Sequence, residues 1–111
     1  MTTLTRSEEI LLLAILRLKD NAYATTILKE VKSRTGKELT FGSIWVSLDV
    51  LYKKGYINKI ISNETPAHGG RKIVFYTLTK VGLNILQEAR EFQNLLWRGA
   101  SSHIKKYGRT P

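Results

Sequence analysis

The sequence of 111 residues contains no cysteine, which excludes disulfides, thiolate metal sites and a cysteine nucleophile. Long hydrophobic runs are also absent, because the apolar stretch at residues 10–16 is far shorter than the roughly 20 residues that a membrane-spanning helix needs. The N-terminus has neither a basic segment nor a small-residue cleavage site. These absences predict a soluble, cytoplasmic protein.

Acidic residues are scarce. Nine Asp and Glu stand against eighteen Lys and Arg, which gives a net charge of +9. Residues 1–52 carry seven basic and six acidic side chains, whereas residues 53–111 carry eleven and three. A positive charge gathered in one half is typical of a protein that binds a polyanion. The plainer interpretation, in which the charge only keeps the protein soluble, stays open.

The residues that enzymes use are not arranged for catalysis. The sequence shows no combination of nucleophile, base and orienting residue, no pair of carboxylates, and no glycine-rich phosphate loop before a helix. His68 has no second metal-type ligand near it, and His103 is a weaker candidate still. We therefore expect no enzymatic activity, no metal and no cofactor.

Apolar periodicity predicts two helices in the first third of the chain. Thr5 and Glu8 have the spacing of a capping box, so the first helix is expected to start at about Arg6. The second helix is expected at residues 22–35, stopped by Gly36.

A third helix is predicted at residues 41–54, with Thr40 as its N-cap and Gly55 just past its end. Its outer face has small side chains, which would let the helix lie deep in a DNA groove. Because it follows the second helix closely, the pair is typical of a helix-turn-helix. Four apolar residues should share its buried face: Phe41, Ile44, Leu48 and Leu51.

Two strands, residues 56–61 and 73–78, are predicted to form a hairpin with a long glycine-containing tip. Thr79 should cap a fourth helix, with Gly82 in its first turn, where a missing side chain costs least. The tail is expected to be disordered or only partly helical. The predicted fold class is α+β and mostly α, divided into a winged helix-turn-helix DNA-binding domain at residues 1–78, a C-terminal dimerisation helix at 79–99 and a basic tail at 100–111.

The candidate DNA contacts lie on the third helix and in the hairpin tip. Serine hydroxyls pair with several base edges, and a valine contacts a thymine methyl group. Trp45 either packs under its helix or lies at the rim, where its indole N–H reaches a phosphate. Each candidate has an ordinary alternative as a solvated face, a cap or a hairpin loop. The candidates are Thr40, Ser43, Trp45, Val46, Ser47, Lys54, His68, Gly69, Gly70, Arg71 and Lys72.

The first helix is apolar on more than one side, so its second face needs a partner, either the C-terminal helix or another subunit. The fourth helix is also rich in apolar residues near the chain end, which predicts packing as a homodimer. The aromatic residues near the end of the fourth helix have a second interpretation, as the lining of a cavity for a flat apolar ligand. The candidate dimer contacts are Leu11, Ile15, Ile85, Ala89, Phe92, Leu96 and Trp97.

Six segments, in this order and at this spacing, resemble the PadR family of bacterial transcriptional regulators over about residues 6–99. They are LLLAILRL from position 11, NAYA from 21, FGSIWVSLDVL from 41, KKGYI from 53, TPAHGGR from 65 and FYTLTKVG from 75. The length resembles the short subfamily with a single C-terminal helix. Two positions depart from the family pattern, since many members have Tyr at the place of Trp45 and Gly at the place of Ala24.

The resemblance implies a winged helix-turn-helix protein that dimerises through its C-terminal helix packed with the first helix. It implies a repressor, often of its own gene or of a neighbouring efflux or stress operon. The predicted partners are double-stranded DNA with a pseudo-palindromic operator, a second copy of the chain and a small apolar effector. Two alternatives stay open: a small-molecule sensor with its ligand at the dimer interface, and a basic protein-interaction module.

Overall fold

The structure, a computed structural model, describes residues 4–62 and 72–107. These residues form a mostly helical fold with one two-stranded antiparallel sheet, which confirms the predicted fold class. A 3-10 turn, Lys19–Asn21, links the first two helices. None of the described helices is long and apolar enough to cross a membrane. The elements in chain order are α1 (Arg6–Leu18), α2 (Ala24–Thr35), α3 (Phe41–Lys53), β1 (Ile57–Ser62), β2 (Ile73–Leu78), α4 (Lys80–Trp97) and α5 (Ala100–Tyr107).

The start of α1 is the predicted capping box. The Glu8 backbone N–H donates to the Thr5 hydroxyl at 3.1 Å, and the Thr5 N–H donates to Glu8 Oε1 at 2.9 Å. The predicted start of α2 at residue 22 is two residues too early. Ala22 has an extended backbone, and its carbonyl accepts the N–H of Tyr76 at 2.8 Å, so this residue pairs with the second strand instead of joining the helix.

The third helix has the predicted N-cap, because the Thr40 hydroxyl accepts the Ser43 N–H at 3.1 Å. Ile44, Leu48 and Leu51 are buried as expected. The prediction for Phe41 is wrong, since this side chain is about half exposed. It lies in the first turn, past the edge of the core that covers the three later residues.

The hairpin pairs β1 with β2 in a register that runs from Ile57 opposite Leu78 to Ser62 opposite Ile73. The second strand has its predicted bounds. The first starts one residue later than predicted, because Tyr56 belongs to the turn after α3 and its N–H donates to the Leu51 carbonyl at 3.0 Å. The hairpin tip predicted between the strands lies outside the described residues, apart from its two ends.

The fourth helix starts at a predicted cap, in which the Thr79 hydroxyl accepts the Gly82 N–H at 3.0 Å and donates to the Gly55 carbonyl at 2.6 Å. The prediction that Gly82 is present because a missing side chain costs least in the first turn is wrong. A Cβ at this position would lie 2.1 Å from the carbonyl oxygen of Tyr56, so glycine is needed for the close approach of α4 to the preceding turn. After Gly99 the chain forms α5, so the tail is helical as far as Tyr107.

One core joins α1, α2, α3 and the hairpin, with Tyr76 as its largest fully buried side chain. Only the first part of α4 enters this core, through Gly82, Ile85 and Leu86. The rest of α4 leads away from it, in an elongated molecule of 57 × 34 × 21 Å. The core therefore fixes α3 with one face inward and the opposite face in solvent.

Candidate nucleic-acid interface

The solvent face of α3 is the central feature of the candidate site. Five residues at helical spacing follow this face, four of them exposed and Asp49 half-buried, and we call this line the α3 crest: Gly42, Val46, Asp49, Val50 and Lys53. Val46 is 66% exposed and Val50 is 40% exposed. The Asp49 carboxylate binds the Lys53 ammonium at 3.0 Å, so the only two charged side chains of the crest form an ion pair. The crest thus presents two exposed valines beside one ion pair and carries no net charge.

The two serines predicted to contact bases lie on one flank of the crest. Ser47 is half-buried, and together with Ser43 it lines a groove of about 200 Å³ that also contacts Ser7 of α1 and Lys37. The Ser43 hydroxyl donates to the Thr40 carbonyl at 3.1 Å, so Thr40 and Ser43 both serve the helix cap. The first N–H groups of a helix have no intrahelical partner and favour an anion such as a phosphate.

Trp45 lies on the opposite flank, which faces the hairpin. Its side chain is 45% exposed, and it borders a shallow cleft of about 300 Å³ between α3 and the sheet. This position matches the rim interpretation, not the packed one. Lys59 lies on the same side, and its ammonium is 4.3 Å from the centre of the Tyr52 ring, a cation–π contact. The other residues around the cleft are Asp49, Ile61, Val74 and Tyr76.

Lys54, predicted to contact DNA, binds a carboxylate of its own chain. Its ammonium forms an ion pair with Glu8 of α1. Burial alone would raise the pKa of Glu8, but the hydrogen bonds from Lys54 and Thr5 outweigh it and lower the pKa below its ordinary value of 4.5. The hydrogen bond to Glu8 also raises the pKa of Lys54. Nothing local in the sequence indicates this pair, because 46 positions separate its members.

The predicted basic tip contributes one described residue. Lys72 is exposed and directly precedes β2, whereas His68, Gly69, Gly70 and Arg71 lie outside the described residues. Within residues 4–62 and 72–107, no group of His, Asp and Glu is arranged to hold a metal ion.

The residues predicted for the dimer interface fall into two sets. Leu11, Ile15 and Ile85 are buried within the protomer, so their side chains hold its own core together. The α4 residues Phe92, Leu96 and Trp97 are about half exposed, and Ala89 is half-buried.

The second apolar face predicted for the first helix consists of residues that are not among the candidate dimer contacts. Leu13 and Leu16 of α1 are exposed on the side opposite the core residues, and with Leu83 of α4 they line a groove of about 490 Å³ between the two helices. The signal was present in the continuous apolar run of α1, which gives one helix two apolar faces. Whether either set contacts a second protomer stays a prediction.

Known structures share this architecture. A PadR-family transcription regulator from Clostridium difficile R20291 superposes with a TM-score of 0.65 at 28% identity, over 92% of this chain and 98% of that one. A PadR-like regulator from Bacillus cereus gives 0.68 at 19% identity, over 95% and 93%. A PadR-like transcription factor from Bacteroides fragilis gives 0.70 at 21% identity, over 88% of each chain. At their identity, the last two likenesses establish the fold alone.

No protein-family model and no curated protein matches the chain. The Clostridium difficile structure, at 28% identity, is described as a transcription regulator, a non-enzymatic class of protein, and this agrees with the prediction that the chain is not an enzyme. The fold, the share of each chain that superposes and the six sequence segments all indicate the same resemblance. The chain is PadR-like, with the winged helix-turn-helix architecture of the PadR-family transcription regulators that it resembles.

Proposed function

We propose that the protein is a sequence-specific, DNA-binding transcriptional regulator that acts in the cytoplasm as a homodimeric repressor. The observation that carries the proposal is the exposed α3 crest, which the core presents to solvent on a chain of net charge +9. A helix presented in this way fits the major groove, where base edges differ between all four base pairs.

The apolar surface of α4 supports the dimeric part of the proposal. Leu95, Leu96 and Trp97 are all more than half exposed at the end of one helix, and water contact with such a surface is costly. Packing against a second copy would cover it. In a two-fold dimer the two α3 helices would enter successive major grooves, roughly 34 Å apart, on a pseudo-palindromic site.

A mobility shift tests the proposal. The purified chain is mixed with the DNA upstream of its own gene, with and without random competitor DNA, at two salt concentrations. We expect a shift that resists competitor and weakens steeply with salt, because bound phosphates release counterions.

Replacing Arg71 and Lys72 with alanine should weaken binding to specific and random DNA alike, since phosphate contacts carry no sequence information. Absence of any shift at low salt would contradict the proposal and favour the protein-interaction module.

A second candidate function is a small-molecule sensor. The observation that favours it is the group of exposed α4 side chains that includes Phe92 and Trp97, which suits a flat apolar ligand. Planar apolar compounds should then quench tryptophan fluorescence in the wild type and in Trp45→Phe, but not in Trp97→Phe. No response across a varied panel would contradict this candidate. Both functions are compatible if the ligand prefers one spacing of the recognition helices.

A further inference from the structure

The chemistry of the α3 crest limits which bases it is able to recognise. Guanine is usually recognised by two hydrogen bonds from Arg or Lys, and adenine by two from Asn or Gln. The crest has no Arg, Asn or Gln, and its single lysine is at the C-terminal end of α3, bound to Asp49. The crest therefore has no side chain that could make the usual pair of hydrogen bonds to guanine or adenine.

The groups that the crest does present are the methyl groups of Val46 and Val50. Both side chains point away from the core, and the ion pair between Asp49 and Lys53 lies beside them. The major groove has one apolar group among its base edges, the C5-methyl group of thymine. The valine methyl groups and the thymine methyl group match each other, because contact removes them from water.

We propose that α3 recognises thymine C5-methyl groups through Val46 and Val50, so that each operator half-site carries thymines where it faces the crest. This inference rests on the proposed DNA-binding function and specifies the sequence class that the same surface selects. The two valines are one helical turn apart, about 6 Å along the axis. Because the groove winds around the duplex, successive base edges along it lie further apart than the roughly 3.4 Å rise along the axis, so this distance corresponds to thymines about one to two base pairs apart.

Two further residues of the crest fit this mode of binding. A Cβ added at Gly42 would meet no atom within 4 Å, so the first turn of α3 is open to the close approach of a DNA backbone. Asp49 offers only acceptor oxygens, which repel the acceptors N7 and O6 of guanine and accept from the amino group of adenine or cytosine. A carboxylate beside the valines thus acts against a guanine that it faces directly, and it accepts both from the adenine that pairs with thymine and from cytosine.

The test changes the DNA and leaves the protein intact. Duplexes that the full chain prefers are selected from a random library, and the thymines of the enriched motif are then replaced by deoxyuridine, which lacks only the C5-methyl group. We expect thymine to be enriched at paired positions. Binding should weaken about fourfold for each methyl group that loses its valine contact, which multiplies to about 16-fold when both thymines of one half-site are changed and to about 250-fold when both half-sites are changed.

Protein variants connect this effect to α3. In Val46→Ser/Val50→Ser the affinity for the thymine duplex should fall, and the thymine and deoxyuridine duplexes should bind equally. The matched control is Val81→Ser, which changes an exposed valine of α4 outside the crest and should keep the wild-type ratio. The coupling between base and side chain is then read from the double-mutant cycle.

The outcomes separate the two proposals. A library that yields no preferred sequence would overturn sequence-specific binding, and with it this inference. A clear motif whose thymine and deoxyuridine forms bind equally would leave the proposed function standing and overturn recognition through thymine methyl groups.

Discussion

Glu8 connects two distant parts of the chain with the two oxygens of one carboxylate. Oε1 accepts the Thr5 N–H at the start of α1, and Oε2 binds the Lys54 ammonium just after α3. The Glu8 side chain is only 11% exposed. Glu8 belongs to a local capping box, and through Lys54 it also helps to set the position of α3 relative to α1.

We expect Glu8→Gln to lower the free energy of unfolding by about 1 kcal/mol near neutral pH, because a charged hydrogen bond is lost. Hydrogen bonds from Lys54 and Thr5 hold the pKa of the folded-state carboxyl below 4.5 against the opposing effect of burial. A lowered pKa means that the unfolded chain takes up the proton first as the pH falls. The stabilisation is thus complete well above pH 4.5 and is lost as the pH falls through the folded-state pKa.

Urea denaturation of the wild type and Glu8→Gln, at about pH 7 and about pH 3, measures this contribution. The matched control is Glu9→Gln, which removes only the 3.4 Å ion pair with the exposed Arg6 and should change stability less. A difference between wild type and Glu8→Gln that stays constant over this pH range would contradict the role of the charge.

At the scale of elements, Gly82 sets how closely α4 approaches the turn after α3. We expect Gly82→Ala to destabilise the fold by about 2 kcal/mol, because the added carbon would meet a backbone carbonyl that cannot move aside cheaply. Gly42→Ala is the matched control. It adds the same carbon in open space, and because Gly42 lies in the first turn of α3 it should change stability by less than about 0.5 kcal/mol. Thermal unfolding of both variants checks this, and equal effects would contradict it.

The elements that the sequence predicts well are those with local causes. The caps at Thr5, Thr40 and Thr79 each depend on residues three positions apart, and all three are present. The sequence predicted poorly whatever depends on distant contacts. Ala22 leaves its helix because it pairs with β2, and Lys54 is bound because α1 passes beside it.

The same distinction applies to the candidate site. Helical periodicity placed Ile44, Leu48 and Leu51 inward, so the solvent face of α3 was predictable. The sequence did not predict which residues of that face lie toward each neighbouring element. Ser47 lies toward α1 and Trp45 toward the sheet, which depends on where the neighbouring elements pack.

The whole molecule is too extended for a self-contained domain of its length. Its radius of gyration is 16.9 Å, whereas a compact chain of this length is expected at about 13 Å. The difference is explained by the second half of α4 and by α5, which add length but no buried residue. A second copy packed on this region would cover its apolar side chains and hold two recognition helices in one particle.

Two single substitutions to aspartate should separate assembly from DNA binding. We expect Leu96→Asp to convert the proposed dimer into a 12.6 kDa monomer in sedimentation velocity, because a charge would be buried against apolar surface. Binding to a two-half-site duplex should fall at least about a hundredfold, since the two recognition helices are no longer linked. Val46→Asp is the matched control on the α3 crest. This variant should remain a dimer and lose its affinity for the duplex. A Leu96→Asp protein that stays dimeric would place the interface elsewhere, and a monomeric wild type would contradict the dimer itself.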